Sequence, residues 1–377
     1  MKLGWLVAAL GGLLGVSGAA AYVWFDNAGH SGARTPTALE SGELAKVAVW
    51  VDGRLLQTAA LRASDPLGNG DGDDDAGPSD INEQRQHLYR VLASELNVDP
   101  GTIERISGIL EQSPYACTGN PSVSVHPLSH SQCVERRARA RIEHDDSAVC
   151  GSPNMVAVFD PNTADVLHAS VCIDQYEFPN IPCEYPLVWV RSSEASQICH
   201  SLGKRLCDAH EWEGACAGSL LSVEQEYSFS TTRAQSTEWH NQRRQRTWLG
   251  SLTPLLDVCP TNSFKNPGCG DVTWEQCGTN TYPSGSFPEC VSPFGVYDML
   301  GNVAEHMNLP LAPEQLLSRG GTGQTEMKGS WFAHDGLMPY PDDCRWRAPA
   351  WHETPVDSPL SHRNYQLGFR CCKDVTY

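Results

Sequence analysis

The sequence predicts an α+β domain with little regular secondary structure, held together by disulfides and preceded by an apolar N-terminal segment. Strand-like and helix-like segments alternate between about residues 155 and 217, whereas the chain beyond residue 220 is rich in Trp, Pro, Gly and Cys. All 15 cysteines lie from Cys117 onward. Behind an export signal they are interpreted first as disulfides, and their odd number leaves at least one thiol unpaired or pairing outside the chain.

The length and charge of the chain limit the function classes. Its 377 residues suffice for one large domain or two ordinary ones. The net charge is −18, and no basic stripe is present to neutralise phosphates, so nucleic acid is excluded as a partner.

Residues 1–25 are predicted to be a membrane anchor or a signal peptide. They carry one charge, Lys2, followed by an apolar run long enough to span a bilayer as a helix. The small residues 19–21 would suit a signal peptidase, but the apolar run continues to Phe25, which favours an uncleaved anchor. Lys2 places the N-terminus in the cytoplasm and the body outside. We therefore expect an extracytoplasmic protein, in the periplasm or at the cell surface.

Residues 26–79 are predicted to form a linker with a short β segment. Residues 46–51 are rich in β-forming residues, and Asp52-Gly53 is a hairpin-type turn. Residues 65–78 are acidic and of low complexity. They do not fit a calcium-binding EF-hand loop, because counting from Asp71 the sixth residue is Ala76 rather than Gly, and the twelfth is Asn82 rather than Glu.

A helical pair is predicted at residues 80–112. Asp80 caps the first helix, with Glu83 three residues on, and Pro100 begins the second behind Asp99. We expect this pair to pack on the main body or on a partner. Residues 113–154 are interpreted as a Cys/Pro/Ser-rich connection, with a basic patch at residues 136–141 that is typical of a solvated face.

The main domain is predicted at residues 155–377. Residues 155–159 and 169–173 are strand-like, and residues 193–199 are helical. Asp208 caps a further helix over residues 209–217, with Glu211 at its third position.

Residues 294–306 (FGVYDMLGNVAEH) form the most informative stretch of this domain. A glycine-containing turn lies between two acids, Asp298 and Glu305. The acids and the carbonyl oxygens of the turn could close round one hard cation such as Ca²⁺. The alternative is a buried turn with two solvated acids.

Six motifs occur in the order found in the formylglycine-generating enzyme (sulfatase-modifying factor) family. They are residues 172–180 (CIDQYEFPN), 185–190 (YPLVWV), 203–213 (GKRLCDAHEWE), 294–305 (FGVYDMLGNVAE), 328–331 (KGSW) and 367–371 (LGFRC). Residues 155–377 therefore resemble a domain of this family. The resemblance implies a fold related to C-type lectins, with little regular structure and bound calcium.

The resemblance also implies calcium ligands. They are the side chains of Asp298 and Glu305 and the carbonyl oxygens of Gly301 and Val303. A second family site would begin at Asn262 with the carbonyl of Ser263, where the local match is weak.

The enzyme of this family oxidises a protein cysteine to formylglycine with O₂ and a copper ion held by two thiolates, which suit Cu(I). The resemblance places the first thiolate at Ala333 and the second at Met338. Copper is therefore not expected, and a site made from Met338 and His334 is disfavoured.

Two disulfides follow from the resemblance, Cys216–Cys344 and Cys199–Cys371. Because Cys371 and Cys372 are adjacent, one of them needs another partner. The remaining cysteines of the loop-rich part are Cys259, Cys269, Cys277 and Cys290, whose spacing does not suit zinc and favours disulfides.

Two other features remain open. Five residues lie where the family groove would be and could bind a polar or peptide ligand: Trp331, His334, Asp335, Arg345 and Arg347. The alternative is that the arginines pair structurally with acids. His126, His130 and Gln132 resemble the His-x3-His-x-Glu iron motif of sulfoxide synthases, but Gln132 replaces the carboxylate and the segment is rich in Ser and Pro, so this motif is discounted.

These observations favour a membrane-anchored binding or assembly module for an unknown protein or polar ligand, without catalytic residues. The alternative is a divergent oxidoreductase of the formylglycine-generating type acting on a protein cysteine.

Overall fold

The structure is a computed structural model. It describes residues 45–51, 54–61, 78, 80–140, 147–255, 258–265, 278–317, 322–333, 343–348 and 354–375. The chain divides into two compact units, Met1–Asp71 and Gly72–Tyr377.

The first unit contains an antiparallel hairpin. Strand β1 (Ala45–Val51) pairs with strand β2 (Arg54–Leu61), from Ala45 opposite Leu61 to Val51 opposite Arg54. The two strands flank Asp52-Gly53, as the turn signal in the sequence predicts. The predicted anchor at residues 1–25 and the acidic stretch at residues 65–77 lie outside the described residues.

The second unit contains helices and two small sheets. Its elements are α1 (Ile81–Glu95), α2 (Pro100–Glu111), α3 (His130–Ala140), α4 (Ser147–Cys150), β3 (Met155–Val158), β4 (Val171–Asp174), α5 (Ser192–Ser201), β5 (Arg205–Leu206), α6 (Ala209–Ala217), α7 (Val223–Glu226), α8 (Arg233–Arg243), β6 (Ala304–Leu309), β7 (Gln324–Lys328), β8 (Leu367–Phe369) and β9 (Cys371–Asp374). Short 3₁₀ turns lie at Val166–His168 and Pro313–Gln315.

The two sheets bring distant parts of the chain together. One has the strand order β3-β4-β9-β5, in which every neighbouring pair is antiparallel. The other has the order β7-β6-β8, in which β6 is antiparallel to β7 and parallel to β8. Strand β8 brings Gly368 opposite Glu305 of β6, so the C-terminal motif lies beside the turn of residues 298–305.

Local sequence signals determine where several helices begin. The Asp80 carboxylate accepts from the N–H groups of Asn82 and Glu83, which would otherwise be unsatisfied at the helix end. The Asp208 N–H donates to the Glu211 carboxylate, 2.9 Å away, as in a capping box. These starts agree with the predictions made from the sequence.

The N-terminal helices are part of the main body. Leu92 of α1 and Ile106 of α2 are fully buried in one apolar cluster with Ile198 of α5 and Phe369 of β8. Burying side chains of this size contributes roughly 1.5–3 kcal/mol each. Of the two possibilities for the helical pair, the structure therefore shows packing on the main body.

Disulfides tie the small elements to one another. The described residues contain six: Cys133–Cys183, Cys150–Cys172, Cys199–Cys371, Cys207–Cys372, Cys216–Cys344 and Cys259–Cys290. The third and fifth are the pairs that the resemblance implies, and Cys207 is the separate partner needed by Cys372. Cys269 and Cys277 lie outside the described residues.

Residues 113–154 contain more regular structure than the sequence predicted, and the basic patch lies on a helix whose Arg136 and Arg139 are exposed, as expected of a solvated face. The segment contains helices α3 and α4. Arg137 of α3 lies over the ring of Tyr176, 4.9 Å from its centroid, and donates to the carbonyl oxygen of Gly285 at 3.2 Å. The Ser and Pro content did not reveal this helix, because a disulfide and an arginine contact hold it in place.

No helix among the described residues combines the length and apolar character needed to cross a bilayer.

Candidate functional site

The turn at residues 298–305 lies at a buried cluster of three carboxylates and one arginine. The carboxylates belong to Asp298, Glu305 and Glu177, and the arginine is Arg370, between β8 and β9. Each of the four residues is at most 1% exposed. Burying one cation among three acids leaves an excess of negative charge, which must be relieved by proton uptake or by a bound cation.

Glu305 is fully engaged by neighbouring donors. Arg370 donates to both carboxylate oxygens, through Nε and Nη2, each at 2.7 Å. The indole Nε1–H of Trp212 donates to Oε2 at 2.9 Å. The same pairing raises the pKa of Arg370, although burial opposes it. Glu305 thus forms a buried bidentate ion pair.

Glu177 holds the turn by hydrogen bonds. Its Oε2 accepts from Ser284 Oγ at 2.8 Å and from Asn302 Nδ2 at 2.7 Å, and its Oε1 accepts from the Val303 N–H at 3.2 Å. Burial, then the charge of Asp298, raises the pKa of Glu177 well above its ordinary value.

Asp298 is the member of the cluster that lacks a full set of partners. Its Oδ2 accepts from the Gly285 N–H at 2.5 Å, whereas its buried Oδ1 has no hydrogen-bond partner in the described structure. Burial is the main reason that the pKa of Asp298 rises to about 7. Its backbone φ of 58° is in the left-handed region, which Asp and Asn tolerate better than most residues.

These contacts allow the calcium ligands implied by the resemblance to be tested. Asp298 fits a cation, because a buried carboxylate oxygen without a donor is a hard ligand. Glu305 is already paired with Arg370 and accepts from Trp212, so its charge is balanced without a cation. Of the two acids, Asp298 is therefore the one whose contacts leave a buried oxygen open to a cation.

The second implied site is also only partly supported. Asn262 is exposed. The Ser263 N–H donates to the carbonyl oxygen of Phe332 at 2.8 Å, and its buried Oγ has no partner among the described residues. Ser263 therefore links its loop to residues 331–333 of the fifth motif.

An aromatic cluster occupies the region around Ala333. The buried members are Cys117, Val188, Trp189, Tyr282, Val303, Phe332 and Tyr365, and Tyr115 and Ala333 pack against them. The ring of Trp189 lies 6.0 Å from that of Tyr115 and 6.4 Å from that of Tyr365. The main chain fixes the cluster to the turn, since the Phe332 N–H donates to the carbonyl oxygen of Asn302 at 2.7 Å.

Cations border this cluster on two sides. Arg363 lies 4.0 Å from the ring centroid of Tyr115, and Lys265 lies 5.2 Å from that of Tyr365. Trp189 is 5% exposed, and its indole N–H has no hydrogen-bond partner in the described structure. A buried N–H without an acceptor costs roughly 1–3 kcal/mol, so this position favours a ligand with a carbonyl or carboxylate oxygen.

Two of the residues expected in a ligand groove have structural roles instead. Arg345 is 4% exposed and donates to the Glu226 carboxylate, and Arg347 is fully buried and donates to both oxygens of Glu213 at 2.8 and 2.9 Å. They are therefore corrected to core ion pairs, the alternative that the sequence left open. Trp331 is half-buried, and His334, Asp335 and Met338 lie outside the described residues.

A group of metal-capable side chains lies in the same network. Glu213, Glu226 and His240 are within reach of one common ion. The network already contains three cations, Arg345, Arg347 and Lys328, the last with its Nζ 3.0 Å from Glu213. This acid cluster is thus balanced by protein cations and does not suit a metal ion.

Sequence reasoning missed several residues of the site. Tyr115, Trp189 and Tyr365 meet from three separate loops, and single aromatic residues in loops give no periodic signal. Glu177 lies in the first motif, but its contact with the turn at Asn302 and Val303 spans about 125 residues and could not be read from spacing.

Together, these features define a loop-rich, disulfide-bonded α+β domain built around a buried acid–arginine turn. Residues 174–375 match the model of the "Sulfatase-modifying factor enzyme 1-like domain". That match covers more than half of the chain, which therefore belongs to this family.

Two solved structures resemble the chain weakly. The crystal structure of CarF has a TM-score of 0.33 at 12% identity and covers 59% of this chain and 98% of its own. The Major Tropism Determinant M1 variant has a TM-score of 0.25 at 14% identity and covers 59% of this chain and 55% of its own. No curated protein matches the sequence. The family assignment rests on the family model alone.

Proposed function

We propose that this protein is a non-catalytic binding module that uses the sulfatase-modifying-factor fold to recognise a polypeptide segment at the aromatic cluster around Ala333. The proposal also places it outside the cytoplasm, attached to or exported across a membrane through residues 1–25. The proposal also includes a structural calcium ion bound at Asp298.

The main support for the proposal is that the expected copper position lacks thiolate ligands. Ala333 offers no ligand atom where the family resemblance places the first thiolate. The nearest downstream cysteine, Cys344, is closed in a disulfide with Cys216. Copper in its reduced state favours thiolate and thioether sulfur, and a disulfide sulfur is not a thiolate. This donor set supports binding rather than copper-dependent oxidation.

The chemistry of the cluster indicates what it would bind. Aromatic rings and an unpaired indole N–H suit a main-chain carbonyl beside an apolar side chain. Arg363 and Lys265 at the border suit an acidic residue in the same segment. Since the chain as a whole is strongly acidic, an acidic segment would be repelled by most of the surface and attracted to the face that carries these two cations.

The disulfides support the proposed compartment. Six bonds among the described residues are typical of an oxidising environment such as the periplasm or the cell surface. The hypothesis of an anchor at residues 1–25 is separate and is tested by mapping the N-terminus of the mature protein.

Site-specific photo-crosslinking in the native envelope tests the binding proposal. A photoreactive phenylalanine analogue at Tyr115, at the cluster, should yield a discrete adduct with one polypeptide. The matched control is the same analogue at Leu167, which is 63% exposed and is not a member of the aromatic cluster. The Tyr115 adduct should be lost in a Trp189→Phe background, which removes the N–H and keeps an aromatic ring.

Two results would overturn the proposal. One is the absence of any adduct from Tyr115, or equal adducts from both positions. The other is a Tyr115 adduct that forms unchanged in a double variant in which Trp189 is replaced by Phe and the charge at Arg363 is reversed.

A further inference from the structure

Helix α2, which the proposed function does not use, forms one wall of a trough on the surface of the second unit. Two cavities, of about 460 and 360 Å³, share as lining residues Ile109 and Gln112 of α2 and Ser193 and Gln197 of α5. They are therefore parts of one depression along the seam between the two helices, which we call the α2–α5 trough. Helix α2 lies outside the residues that match the family model, whereas α5 lies within them.

The core holds the two walls of the trough in place. Ile106 and Leu110 of α2 are fully buried in one apolar cluster with Ile198 of α5. The guanidinium of Arg105 donates to the carbonyl oxygen of Ser201, the last residue of α5, at 3.4 Å. The shape of the trough is therefore set before any ligand binds.

Three arginines line the trough at its two ends. Arg105 lines one end, and Arg191 and Arg363 line the other. Burial, and then the neighbouring charge of Arg191, lowers the pKa of Arg363. Among the described residues the arginine ion pairs use other side chains, so these three guanidinium groups have no carboxylate within ion-pair distance there. On a chain with a net charge of −18, the trough is a local excess of positive charge that attracts anions.

Two acids also line the trough and limit the kind of anion that fits. The Glu194 carboxylate accepts from the Arg191 N–H at 2.8 Å at the start of α5, and Asp357 is exposed along the other cavity. A polymer with a charge on every unit, such as nucleic acid, would bring anions against both carboxylates. The trough therefore favours a ligand whose negative charges are few and separated.

The middle of the trough suits a polypeptide main chain. Ile109 and Pro114 offer apolar contact, whereas the Gln197 amide and the Ser193 hydroxyl each offer a donor and an acceptor. A peptide unit has the same mixture, one N–H donor and one carbonyl acceptor.

The separation of the arginines determines the spacing of the acids. Arg191 immediately precedes the first residue of α5, and Arg105 contacts its last residue, Ser201. The 10 residues of α5 rise about 15 Å. In an extended chain, side chains four positions apart point to the same face and are about 13 Å apart. Two acids at that spacing reach both ends of the trough through their flexible side chains.

We propose that the α2–α5 trough binds an extended polypeptide segment with two acidic residues about four positions apart. One acid pairs with Arg105, and the other pairs with Arg191 and Arg363. Arg363 also borders the aromatic cluster around Ala333, but binding in the trough does not require that the cluster is occupied. Helix α2 then supplies a wall and an arginine that residues 174–375 do not contain.

Fluorescence anisotropy of a short labelled peptide with the full chain tests the proposal. The probe carries two glutamates four positions apart among Ser, Val and Pro, and two further peptides place the glutamates two or five positions apart. The first peptide should bind one to one and about 10-fold more tightly than the others, because a spacing of two is too short and a spacing of five points one acid to the opposite face.

Variants of the chain separate charge from shape. Arg105→Glu should weaken binding about 10-fold, because it turns an attraction into a repulsion. Gly108→Leu should weaken binding at least as much, because Gly108 lines the trough and an added Cβ there meets nothing within 4 Å. Leu is the better helix former, so its side chain fills the trough of a folded protein. The control is Arg90→Glu, at an exposed position of α1 outside the trough, which should bind as the unchanged chain does.

A further variant separates this proposal from the proposed function. Trp189→Phe alters the aromatic cluster and should leave the affinity for the peptide unchanged. If Trp189→Phe abolishes binding and Arg105→Glu does not, the peptide binds at the cluster, so the trough proposal is wrong and the proposed function stands.

The trough proposal also fails if no peptide binds, if the three spacings bind equally, or if Gly108→Leu binds as tightly as Arg90→Glu. Displacement of the probe by heparin at a lower concentration than by the unlabelled peptide would show a surface for dense polyanions instead. Far-ultraviolet circular dichroism verifies that each variant is folded.

Discussion

Replacing Asp298 with Asn removes one buried negative charge and keeps the shape of the side chain. Asn tolerates the left-handed backbone of this position, where φ is 58°. Its side-chain oxygen can still accept from the Gly285 N–H. The substitution therefore isolates the charge of Asp298 from its packing.

The magnitude follows from the pKa. Burial raises the pKa of Asp298 from its ordinary value of 3.8 to about 7. A change of this size corresponds to about 4 kcal/mol. Between about pH 4 and pH 7 the folded protein keeps a proton on Asp298 that the unfolded chain has released, so the free energy of unfolding falls as the pH rises. Above pH 7 the loss is complete.

Other charges around Asp298 are the same in both proteins. Arg370 and Arg137 lower its pKa, and Glu305 raises it. Glu177 is coupled to it by mutual repulsion. Comparing Asp298→Asn with the unchanged chain at each pH cancels the contributions of other buried acids that titrate in the same range.

The assay is urea unfolding with disulfides intact, at pH 5 and pH 8, in EGTA and in calcium. In EGTA, Asp298→Asn should be more stable than the unchanged chain at both pH values. The difference should be about 1.6 kcal/mol at pH 5, where the unfolded chain has already released the proton, and about 4 kcal/mol at pH 8. Calcium should stabilise the unchanged chain at pH 8 and leave Asp298→Asn unaffected. Asp357→Asn, at an exposed position, is the control and should change neither comparison.

Two outcomes would refute this reasoning separately. If Asp298→Asn is less stable than the unchanged chain by the same amount at both pH values, Asp298 acts through hydrogen bonding and not through its charge. If EGTA and calcium give the same unfolding curve, no calcium ion binds at Asp298.

Two further predictions concern the core. Glu213→Gln leaves Arg347 and Lys328 without their buried partner and should lower the free energy of unfolding by about 3–5 kcal/mol. The control is Glu224→Gln, on the exposed side of α7, which should have little effect. Equal urea midpoints for the two variants would contradict this prediction. Gly301 has a φ of +100°, and an added Cβ would lie 2.9 Å from the carbonyl oxygen of Pro260, so Gly301→Ala should destabilise the protein by about 1–3 kcal/mol. The control is Gly108→Ala in α2, where an added Cβ meets nothing within 4 Å; it should be neutral or stabilising by about 0.5–1 kcal/mol. If Gly301→Ala melts at the same temperature as Gly108→Ala, the turn tolerates a side chain and the prediction is wrong.

The parts of the fold that the sequence predicts are those with local causes. Asp80 and Asp99 begin helices because their carboxylates accept N–H groups within the next few residues. At Asp208 the N–H of the capping residue donates to the Glu211 carboxylate three residues on. The strands at β3 and β4 follow from short runs of apolar residues. The family motifs supplied the order of the remaining elements and two long-range disulfides, which no local pattern contains.

The parts that could not be predicted depend on distant partners. The ion pair of Glu305 could not be predicted, because its partner, Arg370, lies 65 residues away. Arg345 and Arg347 looked like groove residues because Glu213 and Glu226 are more than 100 residues earlier. In each case a charged side chain is neutralised by a residue that only the tertiary structure brings near.

The turn and the region around Ala333 therefore differ in what they retain from the family. The turn keeps an acid, Asp298, with a free buried oxygen, and an arginine–glutamate pair that fixes β6 against β8. At Ala333, where the family resemblance implies a metal-binding thiolate, the chain has a methyl group that packs against the aromatic cluster.

The most direct test of the binding proposal is oxygen uptake by the purified full chain after titration with Cu(I), in the presence of a cysteine-containing peptide. The proposal predicts oxygen consumption no greater than that of copper and peptide without protein, and no formylglycine in the peptide by mass spectrometry. One tightly bound copper ion per chain together with catalytic conversion of the peptide cysteine would contradict it.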